Sequence, residues 1–141
     1  MGSINLSELN WLAIVIAAVA TFMLGGLWYT ALFGKAWQRA HGYSEEQCKH
    51  LQAARPPAVF FGTMIACYVV VAIAVAVLAQ CASVSSAGSG ATLGLVIWLL
   101  VAAVGVTNHI PTNVTWAGYG IDTLYQLIYL VGNGAIIGAW R

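Results

Sequence analysis

Four long apolar runs constrain the fold of this chain more than any other feature of the sequence. They cover residues 11–33, 58–80, 91–109 and 121–140, and a membrane-spanning helix needs about 20 predominantly apolar residues. Only 6% of the 141 residues are charged, against about 25% in a typical soluble domain. The sequence therefore predicts an all-α integral membrane protein, a bundle of four transmembrane helices that forms a single membrane domain over residues 1–141.

The basic residues predict the orientation of this bundle. Four of the five lie in the segment 34–57, at Lys35, Arg39, Lys49 and Arg55. Because basic loops stay in the cytoplasm, this segment is expected inside and both termini outside. The first apolar run is longer than the 7–15 residues of a signal-peptide core, so it is expected to remain as a membrane helix. The chain is therefore predicted to be a multi-pass protein of the plasma membrane.

The segment between the first two runs has one helix signal of its own. Ser44 followed by Gln47 is a capping-box pair, which predicts a short amphipathic cytoplasmic helix over about residues 45–54. His41, Cys48 and His50 are close in sequence, but a zinc site needs three or four ligands in tetrahedral geometry and no fourth is evident. We expect a solvated loop here, with no metal and no cofactor. A net charge of +1 gives no basic field for nucleic acid.

A polar stripe distinguishes the last run from the others. Its members recur at offsets of three and four, which places them on one face of a helix: Asp122, Tyr125, Gln126, Tyr129 and Asn133. Unpaired amides and carboxyl groups in hydrocarbon cost several kcal/mol. The stripe is therefore expected to face protein or trapped water.

Asp122 is the only acidic residue within or beside a run, and Asn108 and His109 end the preceding run on the same predicted side. We expect Asp122 to be held by Asn108, His109 or Gln126, since a carboxylate facing lipid is penalised by about 2.5–3.5 kcal/mol. Such a cluster is either structural, pinning the third helix to the fourth, or able to pass protons or bind a cation. No serine–histidine pair, paired carboxylates or phosphate loop favours an enzyme.

Small residues mark two helix faces. The first run carries Ala17, Thr21 and Gly25 at intervals of four, and the last carries Gly134 and Gly138. Such ladders let helices approach closely. They pack either inside one bundle or against another chain.

Two functions remain open from these features. In the first, the chain is a non-enzymatic, self-associating or accessory structural subunit of a larger membrane assembly. In the second, identical copies surround a pathway lined by the polar stripe and form an ion or proton channel or a small transporter. An oligomer is required in the second case, because four helices enclose too little space for a wide pore.

Several landmarks resemble a known family. They are Asn10-Trp11, Gly26-Leu27-Trp28-Tyr29, Phe33-Gly34-Lys35-Ala36-Trp37, Thr107-Asn108, Asp122 and the ending Gly134-Ala135-Ile136-Ile137-Gly138-Ala139-Trp140. Together they resemble the small bacterial membrane proteins catalogued as domain of unknown function 1761. Members often have a proline where this chain has Thr30-Ala31. The resemblance implies a four-helix fold in a bacterial inner membrane and brings no settled activity.

Overall fold

The computed structural model describes residues 3–141, and these form helices joined by short connections with no β-strand among them. A single 3₁₀ turn, Leu6–Glu8, precedes the first helix, and a widened turn of π type, Trp28–Leu32, continues it. The α-helices are α1 (Trp11–Leu27), α2 (Gly34–Ala40), α3 (Glu45–Ala53), α4 (Pro57–Cys81), α5 (Ala87–His109) and α6 (Trp116–Ala139). The all-α prediction is confirmed.

Three helical segments within residues 3–141 are long and apolar enough to cross a membrane: Trp11–Leu32, Pro57–Cys81 and Ala87–His109. They match the first three predicted crossings to within a few residues. Helix α6 has 24 residues but is not among the three, because Asp122, Gln126 and Asn133 interrupt its apolar sequence. On length and composition, the prediction of four crossings is thus confirmed for three.

Helix α6 lies in the middle of the bundle. It packs against α5 on one side and against α1 and α4 on the other. The core on the second side is built from small and branched residues, among them Ala13, Ile14, Ala72 and Val75, which are at most 2% exposed. By contrast, the residues of α5 that are buried are only Gly90 and Gly94. The position of α6 explains how it accommodates polar side chains: neighbouring helices cover much of its surface.

The four long helices alternate in direction, and side-chain hydrogen bonds hold their ends together. At one end, Asn10 Nδ2 donates to the Trp140 carbonyl at 2.6 Å. The Arg141 guanidinium donates there to the carbonyls of Ala79 at 3.0 Å and Val84 at 2.8 Å. We call this the Arg141 end, and the opposite one, which carries α2 and α3, the α2 end.

Glycines bring α5 and α6 into backbone contact. A Cβ atom at Gly90 would overlap the carbonyl of Gly134, and one at Gly94 would overlap the carbonyl of Leu130. At Gly138, a Cβ would overlap the carbonyl of Ser86. The predicted small face of the last helix therefore packs inside the bundle, against its own neighbour in the chain.

The small face of α1 is also used within the chain. Ala17 and Thr21 are 0% and 1% exposed, and a Cβ at Gly25 would lie 2.7 Å from the hydroxyl of Tyr125 on α6. Of the two uses predicted for the small-residue faces, packing inside one bundle is the one observed.

Two local predictions differ from the structure and one is confirmed. The predicted solvated loop after the first crossing contains helix α2. Helix α6 begins at Trp116 instead of about residue 121, because the Thr115 side chain accepts a hydrogen bond from Gly118 N at 3.3 Å and caps the helix. Helix α3 occurs where it was predicted, with both capping-box bonds formed between Ser44 and Gln47.

Candidate functional site

The widened turn after α1 brings two neighbouring aromatic residues onto α6. Trp28 Nε1 donates to the Ile121 carbonyl at 3.1 Å, and Tyr29 OH donates to Asp122 Oδ1 at 2.7 Å. Helix α2 begins at Gly34 and lies against this turn, since a Cβ at Gly34 would be 2.8 Å from the Tyr29 carbonyl. Such π turns occur frequently at functional sites. This one positions the first of the side chains that surround Asp122.

Helix α2 supplies two more side chains to Asp122. Trp37 Nε1 donates to the same Oδ1 atom at 3.1 Å, and His41 Nε2 lies 3.9 Å from Oδ2. The Trp37 and His41 rings, one helical turn apart, stack with centroids 3.9 Å apart. His41 Nδ1 lies 2.8 Å from the Trp37 carbonyl, which can only accept, so the proton of the neutral ring is on Nδ1. Its Nε2 then faces the carboxylate.

Contacts with the start of α6 hold α2 in this position. The Ala40 carbonyl accepts a hydrogen bond from Thr115 N at 3.3 Å. At Gly118 a Cβ would come within 3.2 Å of Ala40 Cβ and 3.3 Å of His41 Cε1. The absence of a side chain at Gly118 thus lets α2 lie directly against α6.

Beside Asp122, a cleft of about 410 Å³ opens between α2, the end of α5 and the start of α6. The side chain of Asp122 is 38% exposed and that of His41 is 14% exposed. One wall is apolar, with Val101, Val104 and Val114. The polar lining residues are His41, Asn108, His109, Thr112, Asp122, Thr123 and Gln126.

The structure gathers part of the predicted cluster and corrects its bonding. Asn108, His109, Gln126 and Asp122 line this one cleft. The prediction that Asn108, His109 or Gln126 holds Asp122 was wrong, since its hydrogen bonds come from α2 and the turn after α1. The His109 ring packs instead on Trp116, with centroids 4.5 Å apart. Asp122 therefore joins α6 to α2 and to the turn after α1, and not to α5.

The rest of the predicted stripe faces the core of the same chain. Tyr125 is 4% exposed, and its hydroxyl donates to the Thr21 carbonyl at 2.8 Å, with Tyr68 OH at 3.0 Å. The ring of Tyr129 packs edge to face against the rings of Tyr125 and Tyr68, with centroids 4.9 and 6.0 Å away. Asn133 is 2% exposed. The stripe thus divides into a part lining the cleft and a part buried against α1 and α4, as expected for polar groups that avoid lipid.

Asn133 and Thr21 form a buried polar pair. The Thr21 hydroxyl lies 2.9 Å from the Ala17 carbonyl and 3.1 Å from Asn133 Oδ1, and its single proton serves one acceptor at a time. Asn133 Nδ2 has no hydrogen-bond partner among the described residues. Exchanging the amide oxygen and nitrogen would let Nδ2 donate to the hydroxyl while that group donates to Ala17. The pair links α1 and α6 in the core.

Sequence reasoning missed Tyr29, Trp37 and His41 as members of the site. A signal for them existed. Tyr29 and Trp37 belong to the same block of landmarks that carries the family resemblance, and Asp122 is another of those landmarks. His41 follows Trp37 by four residues, which is the spacing of neighbours on one helix face. In a loop, as predicted for this segment, a spacing of four residues does not bring Trp37 and His41 together.

The bundle has three helices able to cross a membrane and a cluster of aromatic side chains and His41 around Asp122 at one end, which defines a class of helical membrane protein. The model of the family described as Protein of unknown function (DUF1761) matches residues 12–138. The chain belongs to this family, as its landmarks predicted. No curated protein and no solved structure matches the chain.

Proposed function

We propose that this protein crosses the membrane four times and binds a small solute in the cleft around Asp122, without catalysing a reaction. One observation carries the binding function. Asp122 Oδ1 accepts both hydrogen bonds, from Tyr29 and Trp37, whereas His41 Nε2 at 3.9 Å is too far for a hydrogen bond to Oδ2. Oδ2 therefore accepts no hydrogen bond from the described residues and, with His41 Nε2 3.9 Å away, is left for the contents of the cleft.

The four-crossing part of the proposal depends on α6. Its 24 residues measure about 36 Å at 1.5 Å per residue, enough for a hydrocarbon layer of about 30 Å. Its polar groups at Tyr125 and Asn133 are covered by protein, so they need not meet lipid. The hydrogen bond from Asn10 to Trp140 supports ends that lie level with those of α1.

Orientation follows from charge. The α2 end carries Lys35, Arg39, Lys49 and Arg55, which favours the cytoplasmic side. We therefore propose a multi-pass protein of a bacterial plasma membrane with both termini outside. The cleft then opens at the cytoplasmic boundary, where water-soluble compounds and lipid headgroups both reach it.

Chemical labelling of the cleft tests this function. In a chain whose native cysteines are replaced by alanine, Gln126→Cys should react with a charged maleimide in inside-out vesicles. Leu124→Cys is the matched control and should react less. Leu124 lies two positions away and is 43% exposed, but on the outer surface of the bundle and not in the cleft. A solute that occupies the cleft should slow the labelling of Gln126→Cys. Equal labelling of the two cysteines, or no labelling at Gln126, would contradict an accessible cleft.

A channel formed around the polar stripe is not what we propose. That arrangement needs the stripe at an axis between copies, whereas Tyr125 and Asn133 lie in the core of a single chain. Solute binding by one chain needs no such axis.

As a second candidate we propose the accessory or self-associating role, for which α3 is the supporting feature. No residue of Glu45–Ala53 is buried, and the exposed helix carries Leu51 at 47% exposure. An exposed amphipathic helix beside the membrane is a suitable contact for another protein. Native mass spectrometry from membrane vesicles tests it: a lone monomer, both with α3 intact and with α3 replaced by a flexible linker, would contradict it.

A further inference from the structure

Resting on the proposed function, we infer the chemical class of the solute: a primary ammonium group on a short apolar body. The body is either that of a free alkylamine-type compound or part of an amine-bearing phospholipid. Charge, hydrogen-bond acceptors and the apolar wall of the cleft support this class independently.

Charge is the first argument. Among the described residues that line the cleft, Asp122 is the only acidic one, and none is a lysine or an arginine. A cation therefore gains a charge-assisted hydrogen bond, whereas an anion meets the carboxylate. A divalent metal fits poorly, because no three His, Cys, Asp or Glu residues within residues 3–141 are placed to hold one.

Hydrogen-bond acceptors are the second argument. An ammonium group has three donors and no acceptor. The lining of the cleft also contains the side-chain carbonyls of Asn108 and Gln126. Together with the free oxygen of Asp122, these carbonyls give the cleft three acceptors, which equals the number of donors on an ammonium group.

The apolar wall is the third argument. Val101, Val104 and Val114 line the cleft, and the hydroxyl of Tyr119 is already bonded to the Ala102 carbonyl at 2.5 Å. The tyrosine thus presents its ring, which attracts a cation as well as a hydrocarbon. A volume of about 410 Å³ is near the lower end of the range of ligand sites, about 300–1,000 Å³. The wall favours a small organic cation over a bare inorganic one.

Two sources of the amine are compatible with the position of the cleft. Val104 is 53% exposed on α5, so the apolar wall continues onto the surface that faces lipid in the proposed topology. A phospholipid with an amine headgroup can reach Asp122 from that side, and a soluble amine can reach it from the water. The recognised chemistry, an ammonium on an apolar body, is the same in both cases.

The test uses the full chain in nanodiscs of phosphatidylcholine, whose headgroup has no N–H donor. Saturation-transfer NMR measures dissociation constants for butylammonium, butyrate and butanol. We expect butylammonium to bind the unmodified chain most tightly of the three compounds. Its dissociation constant should rise about tenfold or more in Asp122→Asn, which loses the charge but keeps an oxygen for Tyr29 and Trp37. The matched control Glu45→Gln removes an equal charge from exposed α3 and should bind like the unmodified chain.

A second variant protects the test against misfolding of Asp122→Asn. Val104→Trp narrows the cleft from an exposed position and keeps the carboxylate, so it too should lose butylammonium binding.

To separate the two sources of the amine, phosphatidylethanolamine replaces part of the phosphatidylcholine. If the lipid is the source, it competes with butylammonium and remains on the unmodified chain in native mass spectrometry. If a free amine is the source, butylammonium affinity is unchanged.

The outcomes distinguish the inference from the proposed function. Two outcomes overturn the ammonium class but leave a solute-binding cleft. One is butylammonium binding that Asp122→Asn does not weaken, and the other is tighter binding of butyrate or butanol that Val104→Trp abolishes. No binding of any of the three compounds and no retained phosphatidylethanolamine overturns both.

Discussion

At the scale of single residues, Asp122 shows how a polar group in an apolar chain is stabilised by partners remote in sequence. Tyr29 and Trp37 precede it by 93 and 85 positions. The sequence predicted that Asp122 is bonded to protein, because the cost of exposing it to lipid is a local property. It did not predict the partners, which depend on the order and rotation of helices. Proximity along the chain favoured Asn108 and His109 and led to the wrong pair.

The bonds to Asp122 Oδ1 lead to a prediction about stability. Asp122→Ala removes the acceptor of Tyr29 OH and Trp37 Nε1 and should destabilise the fold by about 1–3 kcal/mol. Asp122→Asn keeps an oxygen in the same place and should cost clearly less. Unfolding by SDS in mixed micelles, followed by tryptophan fluorescence and by circular dichroism, measures both. Equal losses for the two variants would show that charge, and not the shared acceptor, stabilises this junction.

At the scale of elements, hydropathy predicted α1, α4 and α5 because lipid or apolar neighbours surround most of each helix. It did not predict α2, since seven residues give little periodic signal and tertiary contacts such as that from Thr115 N to the Ala40 carbonyl hold this helix in place. The early start of α6 at Trp116 depends on a cap at Thr115, which the apolar pattern does not register. Small residues predicted close helix packing correctly, but not which helix each face meets.

The glycine contact between α5 and α6 gives a prediction at this scale. Gly90→Ala and Gly94→Ala each place a methyl group against a backbone carbonyl of α6, and neither carbonyl can move without shifting the helix. We expect each to cost about 1–3 kcal/mol, the usual range for overpacking. The same unfolding measurement in mixed micelles applies.

Gly132→Ala is the matched control, because a Cβ there meets no atom of the described residues within 4 Å. It should leave stability unchanged or raise it slightly, since alanine has the higher helix propensity. If Gly90→Ala and Gly132→Ala behave alike, the close approach of α5 and α6 is not needed for the fold.

At the scale of the whole molecule, the two ends of the bundle differ in chemistry. The α2 end carries four of the five basic residues together with the cleft around Asp122, and the other end carries Arg141 and the uncharged turn between α4 and α5. Alternating helix directions place each connection at one of these ends. A single experiment on the connections therefore tests the number of crossings and the orientation together.

Labelling of single cysteines makes this prediction measurable. With the native cysteines replaced by alanine, a membrane-impermeant maleimide applied to intact cells should label Ser85→Cys, in the turn between α4 and α5. It should label Asn113→Cys, between α5 and α6, only in inside-out vesicles. Both positions are exposed in the structure, so any difference between them reports the side of the membrane and not burial within the protein.

A third cysteine, appended after Arg141, tests whether α6 crosses. Because the Arg141 guanidinium bonds the Val84 carbonyl in the turn that contains Ser85, the appended residue should be labelled from the same side as Ser85→Cys. Labelling on the side of Asn113→Cys would mean that α6 does not cross, despite its length. Reversed labelling of all three would keep four crossings but invert the topology, and the four basic residues would then face outward against the charge rule.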